Sequence, residues 1–405
     1  MLTYAILFDY MTTRRNFLIN STLATTGLGL SLTGIAGKKK QASLAVGIVG
    51  TGDRGQGIAS LIKSIEGMEV LAMCDVIPFR LEKAMQLASS RARSYSDYRK
   101  LLEDKRLDAI VVSTPFGMHS QMAIDALDAN KHVYCEKTLS YGIEATRKLL
   151  NRTKSSDKIF QTGHQYHSSR LYRHIVELVK DGELGELSLI ESQWNRNGNW
   201  RRPVPDPKWE RMINWRMYRE YSGGLTAELC SHQIDLSNWI LGSPPQKVSG
   251  FGGIDYWKDG RETYDNVHLL AEYPNGVKAS FTSLTTNAKD NYQIKILGKK
   301  GSVVINQNSA WIYSEEEIGE KDYGTVDGVS GATTNWKSTS GKPIDLEHKD
   351  PTLQALVDFR DNIRDNKTPL SNAQTGAEVS VVVQMALDAM DNNRVETWKD
   401  SYNFI

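Results

Sequence analysis

Three cysteines in 405 residues leave no room for a disulfide framework. Cys74, Cys135 and Cys230 are far apart and odd in number, so no zinc-ligand spacing appears either. Each stands beside apolar residues, where a thiol packs as a small hydrophobe. Charge of one sign is equally scarce: a net +1 at pH 7 provides no basic face for nucleic acid. The chain also lacks an unbroken membrane-length apolar run. The nearest approach, "FLINSTLATTGLGLSLTGIAG" from Phe17 to Gly37, is diluted with Thr, Ser and Gly and makes a poor stable span. No internal repeat or low-complexity tract lies beyond it.

What stands ahead of that run is a pair of arginines, Arg14 and Arg15. A basic stretch followed by a short apolar one reads as an export signal, and the paired arginines suggest the twin-arginine route. Ala36 is a weak cleavage site, and no lipid-modified cysteine follows. The twin-arginine route resembles one that carries proteins already folded around a cofactor. The expectation is therefore an exported, periplasmic protein with residues 1–40 as signal and linker. A chain folded in the reducing cytoplasm would need no disulfides. Apolar content of 40% and charged content of 24% suit a soluble globular protein, with length for two domains after the signal.

The first half has the pattern of a nucleotide fold. Leu44 to Val49 is apolar and β-prone, as a buried parallel strand would be. Gly50, Gly52 and Gly55 follow as G-x-G-x-x-G, and Ile58, Leu61, Ile62 and Ile65 recur at helical spacing. The glycines allow a tight turn and let the backbone touch a diphosphate, which rests on the free N–H groups of the helix start. The next strand, "MEVLAMCD", ends at Asp75, placed to accept the adenosine ribose hydroxyls and to repel a 2′-phosphate. NAD is therefore expected over NADP, although Arg80 stands close enough to meet a phosphate. Alternatively, Asp75 merely caps the helix after it.

Further strand–helix units end at "STPFGMH" and "CEKTLS", giving a doubly wound parallel sheet whose ligands lie at the strand tips. Gly50, Gly52, Asp53, Arg54 and Gly55 of the turn are the first candidate cofactor contacts. Asp75, then Ser113, Thr114, Pro115 and His119, and finally Glu136 and Lys137 complete the set. On composition alone Lys137 would be an ordinary solvated lysine. At a strand end inside a cleft, partial burial would lower its pKa into a useful range.

The second half reads as a separate substrate domain. "SRLYRHIVELVKDG" is an amphipathic helix, and "LSLIESQWN" is strand-like. An irregular stretch follows, with Trp200 and Arg201 among its aromatic and basic residues. It reads equally as a sugar-stacking wall or as a loop pinned by its tryptophans. "DNVHLLAEYPNGVKASFTSLTT" and "YQIKILGKKGSVVIN" are hairpins, and two helices close the chain. The polar, Gly-rich stretch after Ser314 reads as a surface loop. In "QTGHQYH", His164 and Tyr166 are the expected substrate contacts, taken as alternate residues on one strand face. In "GGLTAELCSHQIDLSNWILG", Glu228 and His232 lie four apart on a helix, with Asp235 one turn further on. One histidine makes a weak metal pattern, so no metal is expected.

Taken together, "VGIVGTGDRG", Cys74–Asp75, "STPFGMH", "CEKTLS", "GELGEL" and the Gly223–Gly242 segment resemble the glucose–fructose oxidoreductase / inositol dehydrogenase / MocA family. The likeness runs through nearly everything after the signal. It implies an α/β chain: an N-terminal Rossmann domain over 41–160 and a C-terminal α/β domain over 161–350 with an open, mostly antiparallel sheet. Helices over 351–405 would pack back on both. The family's E-K-P motif places its lysine on Lys137, with Thr138 where proline is usual. Its G-G-x-x-x-D-x-G-x-H-x-x-D pattern places its histidine on His232 and its last aspartate on Asp235. Glu228 replaces the family aspartate, and Cys230 replaces a glycine.

The resemblance implies a small carbohydrate substrate and a homo-oligomer joined through the open sheet. Lys137, His232 and Glu228 are the catalytic candidates; His164, Tyr166, Trp200, Arg201, Glu228 and Asp235 are the substrate-binding ones. The expected base is His232, with Lys137 steadying the oxygen. The expected reaction is NAD-dependent oxidation of a sugar or glycoside hydroxyl, with C3 the carbon favoured and the bound cofactor restored in place. An NAD-using glycosidase acting by transient oxidation, elimination and re-reduction is the second reading. A non-enzymatic sugar or cofactor sensor is the third.

Overall fold

The computed structural model describes residues 42–315, 340–347 and 349–404. The paired arginines, the apolar run behind them and most of the polar stretch after Ser314 lie outside these residues. Among the described residues the chain builds two sheets, of six and nine strands.

The first sheet is wholly parallel, in the order β3-β2-β1-β4-β5-β6. Its strands are β1 (Leu44–Val49), β2 (Met68–Cys74), β3 (Arg93–Tyr95), β4 (Ala109–Val112), β5 (His132–Cys135) and β6 (Phe160–Thr162). Every residue of β1 and β4 is buried, because helices cover both faces of the sheet. Those helices include α1 (Asp53–Ile62), α2 (Pro78–Met85), α3 (Tyr98–Leu102), α4 (His119–Asp128) and α5 (Ile143–Lys154). The "YSDYRKLLEDKRLD" stretch, which reads as a single helix, is split. Tyr95 ends β3, and only Tyr98–Leu102 is helical, capped by the Asp97 carboxylate accepting from the Arg99 N–H.

After α6 (Arg170–Lys180) the chain enters the second sheet. It contains β7 (Leu187–Trp194), β8 (Lys247–Gly253), β9 (Asn266–Glu272), β10 (Lys278–Leu284), β11 (Tyr292–Gly298), β12 (Gly301–Asn306), β13 (Ser309–Ser314), β14 (Lys342–Pro343) and β15 (Glu396–Thr397). Their order is β14-β13-β12-β11-β7-β10-β9-β8-β15, and only β7 and β10 run parallel. Both expected hairpins form, β9–β10 around Pro274–Gly276 and β11–β12 around Lys299–Lys300. Gly276 has φ +85°, the left-handed turn conformation that glycine tolerates. Strands such as β9 alternate buried and exposed residues, because only one face meets the core. On the other face Phe251 and Leu270 are exposed.

Helix α7 (Ser231–Leu241) lies against the covered face. It continues from a π-helical turn over Thr226–Cys230 that residue spacing does not distinguish from α-helix. Two further helices tie the lobes together. In α8 (Pro351–Asp365), Ala355, Leu356 and Phe359 join Val46, Ile48 and Ile58 in the first-lobe core. In α9 (Ala373–Asn392), Val381 and Val382 join the second-lobe core, while Ala373 and Ala377 join the first. No helix among the described residues is long and apolar enough to cross a membrane.

Candidate functional site

The site begins at the turn between β1 and α1. Gly50 has φ +90°, and a Cβ on it would stand 2.6 Å from the Ser113 carbonyl oxygen. A Cβ on Gly55 would stand 2.0 Å from the Gly50 carbonyl oxygen, so only hydrogen fits where α1 meets the strand. Gly52 differs: its open side meets only the Arg80 guanidinium, at 3.8 Å. Gly52 caps α1 without a side chain, so the first N–H groups of the helix have no side-chain partner there. Thr114 carries a buried Oγ1 with no partner among the described residues.

Two cavities meet at this turn. One, of about 390 Å³, is lined by Gly50, Asp75, Ile77, Tyr98, Pro115 and Met118, among others. It is a largely apolar slot at the tips of β1, β2 and β4, suited to a flat heteroaromatic base. The other, of about 600 Å³, runs from Gly52 and Thr114 past Lys137 to His232 and Trp194 on the second lobe. A glycine turn open at a helix start, an orphaned hydroxyl and an apolar slot fit a dinucleotide with its diphosphate over Gly52. Gly50, Gly52, Asp75, Ser113, Thr114 and Pro115 would hold its adenosine and diphosphate half. Asp75 already accepts from the Thr51 N–H at 2.7 Å, the Thr51 hydroxyl at 3.0 Å and the Ile77 N–H at 2.9 Å. It thus joins helix-start bonding to its place on the slot wall.

Deeper in, the two lobes are stitched by hydrogen bonds. The Lys137 Nζ donates to the Glu228 carbonyl at 2.9 Å, and the Thr138 hydroxyl donates to the Ala227 carbonyl at 2.9 Å. Both acceptors belong to the π-helical turn. The Lys137–Thr138 peptide bond is cis. Burial lowers the Lys137 pKa below the ordinary lysine range; Glu228 and Glu136 oppose that, while Arg216 and Arg54 add to it. Burial pushes the Glu228 carboxyl up, but Lys137 (Nζ 3.9 Å away) and Arg216 (Nε 2.8 Å away) outweigh it and hold its pKa low. Burial, then Lys137 and His164, drives His232 well below the usual imidazole pKa. His232 therefore faces the cavity as neutral imidazole. The His119 ring lies between the Thr138 and Thr114 carbonyl oxygens, each 2.9 Å from a ring nitrogen. Its one N–H as neutral imidazole donates to one of them, so the ring packs between the lysine turn and the "STP" turn.

Around this centre, charges are paired within each lobe and, at Asp53–Arg202, between the lobes. Arg54 meets Glu136 at 2.7 Å and the Thr352 hydroxyl at 3.1 Å. Asp53 meets Arg202 of the second lobe at 2.7 Å. Arg201 is clamped by Asp259 at 3.1 Å and by Glu210. Trp200 reaches the cavity wall beside it, with φ +64°.

Three expected substrate contacts lie elsewhere. The strand expected through His164 and Tyr166 stops at Thr162, and a 3-10 turn occupies Gln165–Ser168. Strand alternation therefore does not apply, and Gln165 is the residue that reaches the cavity. His164 is fully buried with its ring edge-on to His232 at 5.9 Å, and Tyr166 stacks on Tyr172 at 4.1 Å and meets His232 at a tilt, with ring centres 5.2 Å apart. They form the bed under the histidine. Asp235 points away from the cavity and pairs with the buried His167 at 3.0 Å, whose ring stacks on Trp239 at 4.2 Å. Its carboxylate thus anchors α7 to the turn over Gln165–Ser168.

Sequence reasoning singled out neither Arg196 nor Arg216, and it passed over Trp194. Only the strand end at Trp194 hinted at them. Their partners, His232 for Trp194 and Glu228 for Arg216, come from other elements.

Comparisons agree with this architecture. A family model described as an oxidoreductase family NAD-binding Rossmann fold matches residues 44–164, and one described as its C-terminal alpha/beta domain matches 176–397. Myo-inositol 2-dehydrogenase of Thermotoga maritima is 28% identical over 211 residues, 52% of this chain. That alignment spans 59% of the relative, so the chain matches little more than half its length. An aldose-aldose oxidoreductase from Caulobacter crescentus, complexed with glycerol, superposes with a TM-score of 0.70 at 18% identity, over 88% of this chain and 100% of that one. A levoglucosan dehydrogenase in complex with NADH superposes with a TM-score of 0.71 at 16% identity, over 88% and 99%. At such identities the structural likeness speaks for the fold.

Proposed function

Because the chain belongs to the glucose–fructose oxidoreductase / inositol dehydrogenase / MocA family of oxidoreductases, we propose that it oxidises a secondary hydroxyl of a sugar or related polyol. One observation carries this reading: Lys137 from the first lobe and Glu228 and His232 from the second converge on one cavity that starts at the glycine turn. When bound there, a nicotinamide dinucleotide supplies the acceptor for the carbinol hydride. NAD is favoured over NADP because Asp75, at the tip of β2, lines the adenosine slot together with Asp97, where a 2′-phosphate would meet carboxylates.

The chain's own groups handle the proton. The reading that makes His232 the base is weakened by its surroundings, since a strongly depressed imidazole pKa makes a poor proton acceptor at neutral pH. Lys137, lowered toward the working range and aimed by the Glu228 carbonyl, suits that role better. Neutral His232 would hold the reacting oxygen through a hydrogen bond. Glu228, kept ionised by Lys137 and Arg216, would accept from a neighbouring hydroxyl.

A pH profile follows. The base works as free amine, so kcat/KM for oxidation is expected to be low below the folded pKa of Lys137 and to rise through it. The midpoint of the rise should lie below the ordinary lysine value of 10.5. His232 stays neutral throughout and contributes no limb near pH 6–7. Initial rates followed at 340 nm check this; a midpoint at or above the ordinary value, or a separate limb near pH 6–7, would count against it.

We place the protein in the periplasm, delivered by the twin-arginine route with its dinucleotide aboard and recycled in the site. The support is Arg14–Arg15 ahead of a short apolar run. The test is mass spectrometry of ligand released from protein recovered in the periplasmic fraction, followed by a sugar and polyol panel at 340 nm. Protein confined to the cytoplasm would remove the export reading. Protein that binds no dinucleotide, or holds one that no sugar reduces, would remove the dehydrogenase reading.

A further inference from the structure

The large cavity has seven cationic side chains on its wall against three carboxylates. Most of the cations are spoken for: Arg54 by Glu136, Arg202 by Asp53, Arg201 by Asp259 and Glu210, and Arg216 with Lys137 by Glu228. Two arginines have no carboxylate within 4.0 Å among the described residues. Arg80 lies over Gly52, at the helix start, and lines both cavities. Arg80 is therefore where the dinucleotide's phosphates would be met.

Arg196 sits on the other lobe. It follows the end of β7, held by its own N–H donating to the Leu284 carbonyl at 2.8 Å. Its guanidinium lies 5.2 Å from the Trp194 ring centre and 5.7 Å from that of Trp200. Trp194 in turn contacts His232 at 5.5 Å, so Arg196 belongs to the reacting end of the cavity. Its side chain makes no hydrogen bond among the described residues. Two indoles fix the guanidinium while leaving five in-plane N–H donors free.

We propose that Arg196 is a carboxylate-binding residue and that the substrate is a sugar acid or its glycoside, not a neutral sugar. This deepens the dehydrogenase reading and rests on it. Arg196 is exposed at the cavity mouth. With a neutral polyol it would keep water as its partner, whereas a charged ligand would add an ion pair beside a wall with more basic than acidic side chains. A carboxylate matches both the charge and the fork geometry of arginine. A bound dinucleotide would not supply that match, since Gly52 and Arg80, the groups that would hold its diphosphate, are on the first lobe.

The test compares matched pairs that differ only at C6: methyl glucoside with methyl glucuronide, and likewise the galacto and manno pairs, as α and β anomers. Binding to the NADH-loaded protein is followed by tryptophan fluorescence, and kcat/KM with NAD at 340 nm. The acid member of at least one pair is expected to be preferred roughly tenfold to a hundredfold, as one charge-assisted contact would give. Arg196→Leu should remove most of that preference, while NADH binding is retained as the check on folding. Equal or tighter binding of the neutral members, binding of neither member, or an acid preference surviving in Arg196→Leu would each overturn the proposal. Acid binding that depends on Arg196 without any NAD reduction would support the anion site and sink the dehydrogenase reading instead.

Discussion

Replacing Lys137 with alanine is expected to lower the turnover of the proposed sugar oxidation by roughly 10²–10⁴-fold, the range of a lost general base. The loss should appear in kcat and kcat/KM together, because the interaction is made as the proton leaves. Lys137 is 13% exposed, with its Nζ on the Glu228 carbonyl and the Glu228 carboxylate 3.9 Å away. Removing it does not leave Glu228 bare, since Arg216 still donates to that carboxylate at 2.8 Å. The fold should therefore survive, and the NADH dissociation constant should change far less than turnover. Single-turnover reduction of bound NAD, with an added small primary amine, sharpens the test: partial recovery by the amine is expected of a missing base. Undiminished cofactor reduction in the variant would end the assignment.

The second large effect is at the glycine turn. Gly55→Ala puts a methyl group 2.0 Å from the Gly50 carbonyl oxygen, and the obstacle is backbone that has little freedom to move. Gly50 is itself tight against the Ser113 carbonyl, so the strain passes to the wall of both cavities. Overpacking costs about 1–3 kcal/mol, and the displaced turn would no longer present its N–H groups to a diphosphate. NADH affinity should fall by about a hundredfold or more, with a thermal midpoint lower by several degrees. Gly57→Ala is the control. It lies on the same helix, nothing stands within 4 Å of its added Cβ, and it should be neutral or mildly stabilising. If Gly55→Ala binds NADH as the native protein does, the turn is not the diphosphate cradle.

The parts of the site legible in the sequence are those whose geometry is local. Gly50, Gly52 and Gly55 could be assigned because a turn between a buried strand and a helix specifies its residues by backbone conformation alone. The same holds for the β9–β10 hairpin around Pro274–Gly276. Glu228 and His232 were legible as a pair because they are four residues apart on one helix. Yet the π-helical turn that carries Glu228 was not, since apolar spacing looks the same in both helix types over a single turn. His164 and Tyr166 were assigned to a face by strand alternation, in a segment that the Gln165–Ser168 turn removes from the sheet.

What the sequence determined by itself is the pair of lobes and the dinucleotide crevice, through periodicity, glycine placement and strand-end chemistry, all of which act between near neighbours in the chain. Only the tertiary structure decided which charges are neutralised and which stay free. Arg216 meets Glu228 across twelve positions, Lys137 meets it across ninety-one, and Asp235 turns away to His167 across sixty-eight. Burial and Coulomb energy depend on where distant segments come to rest, so the lowered lysine, the neutral histidine and the unmatched Arg196 exist only once the two lobes close on one cavity.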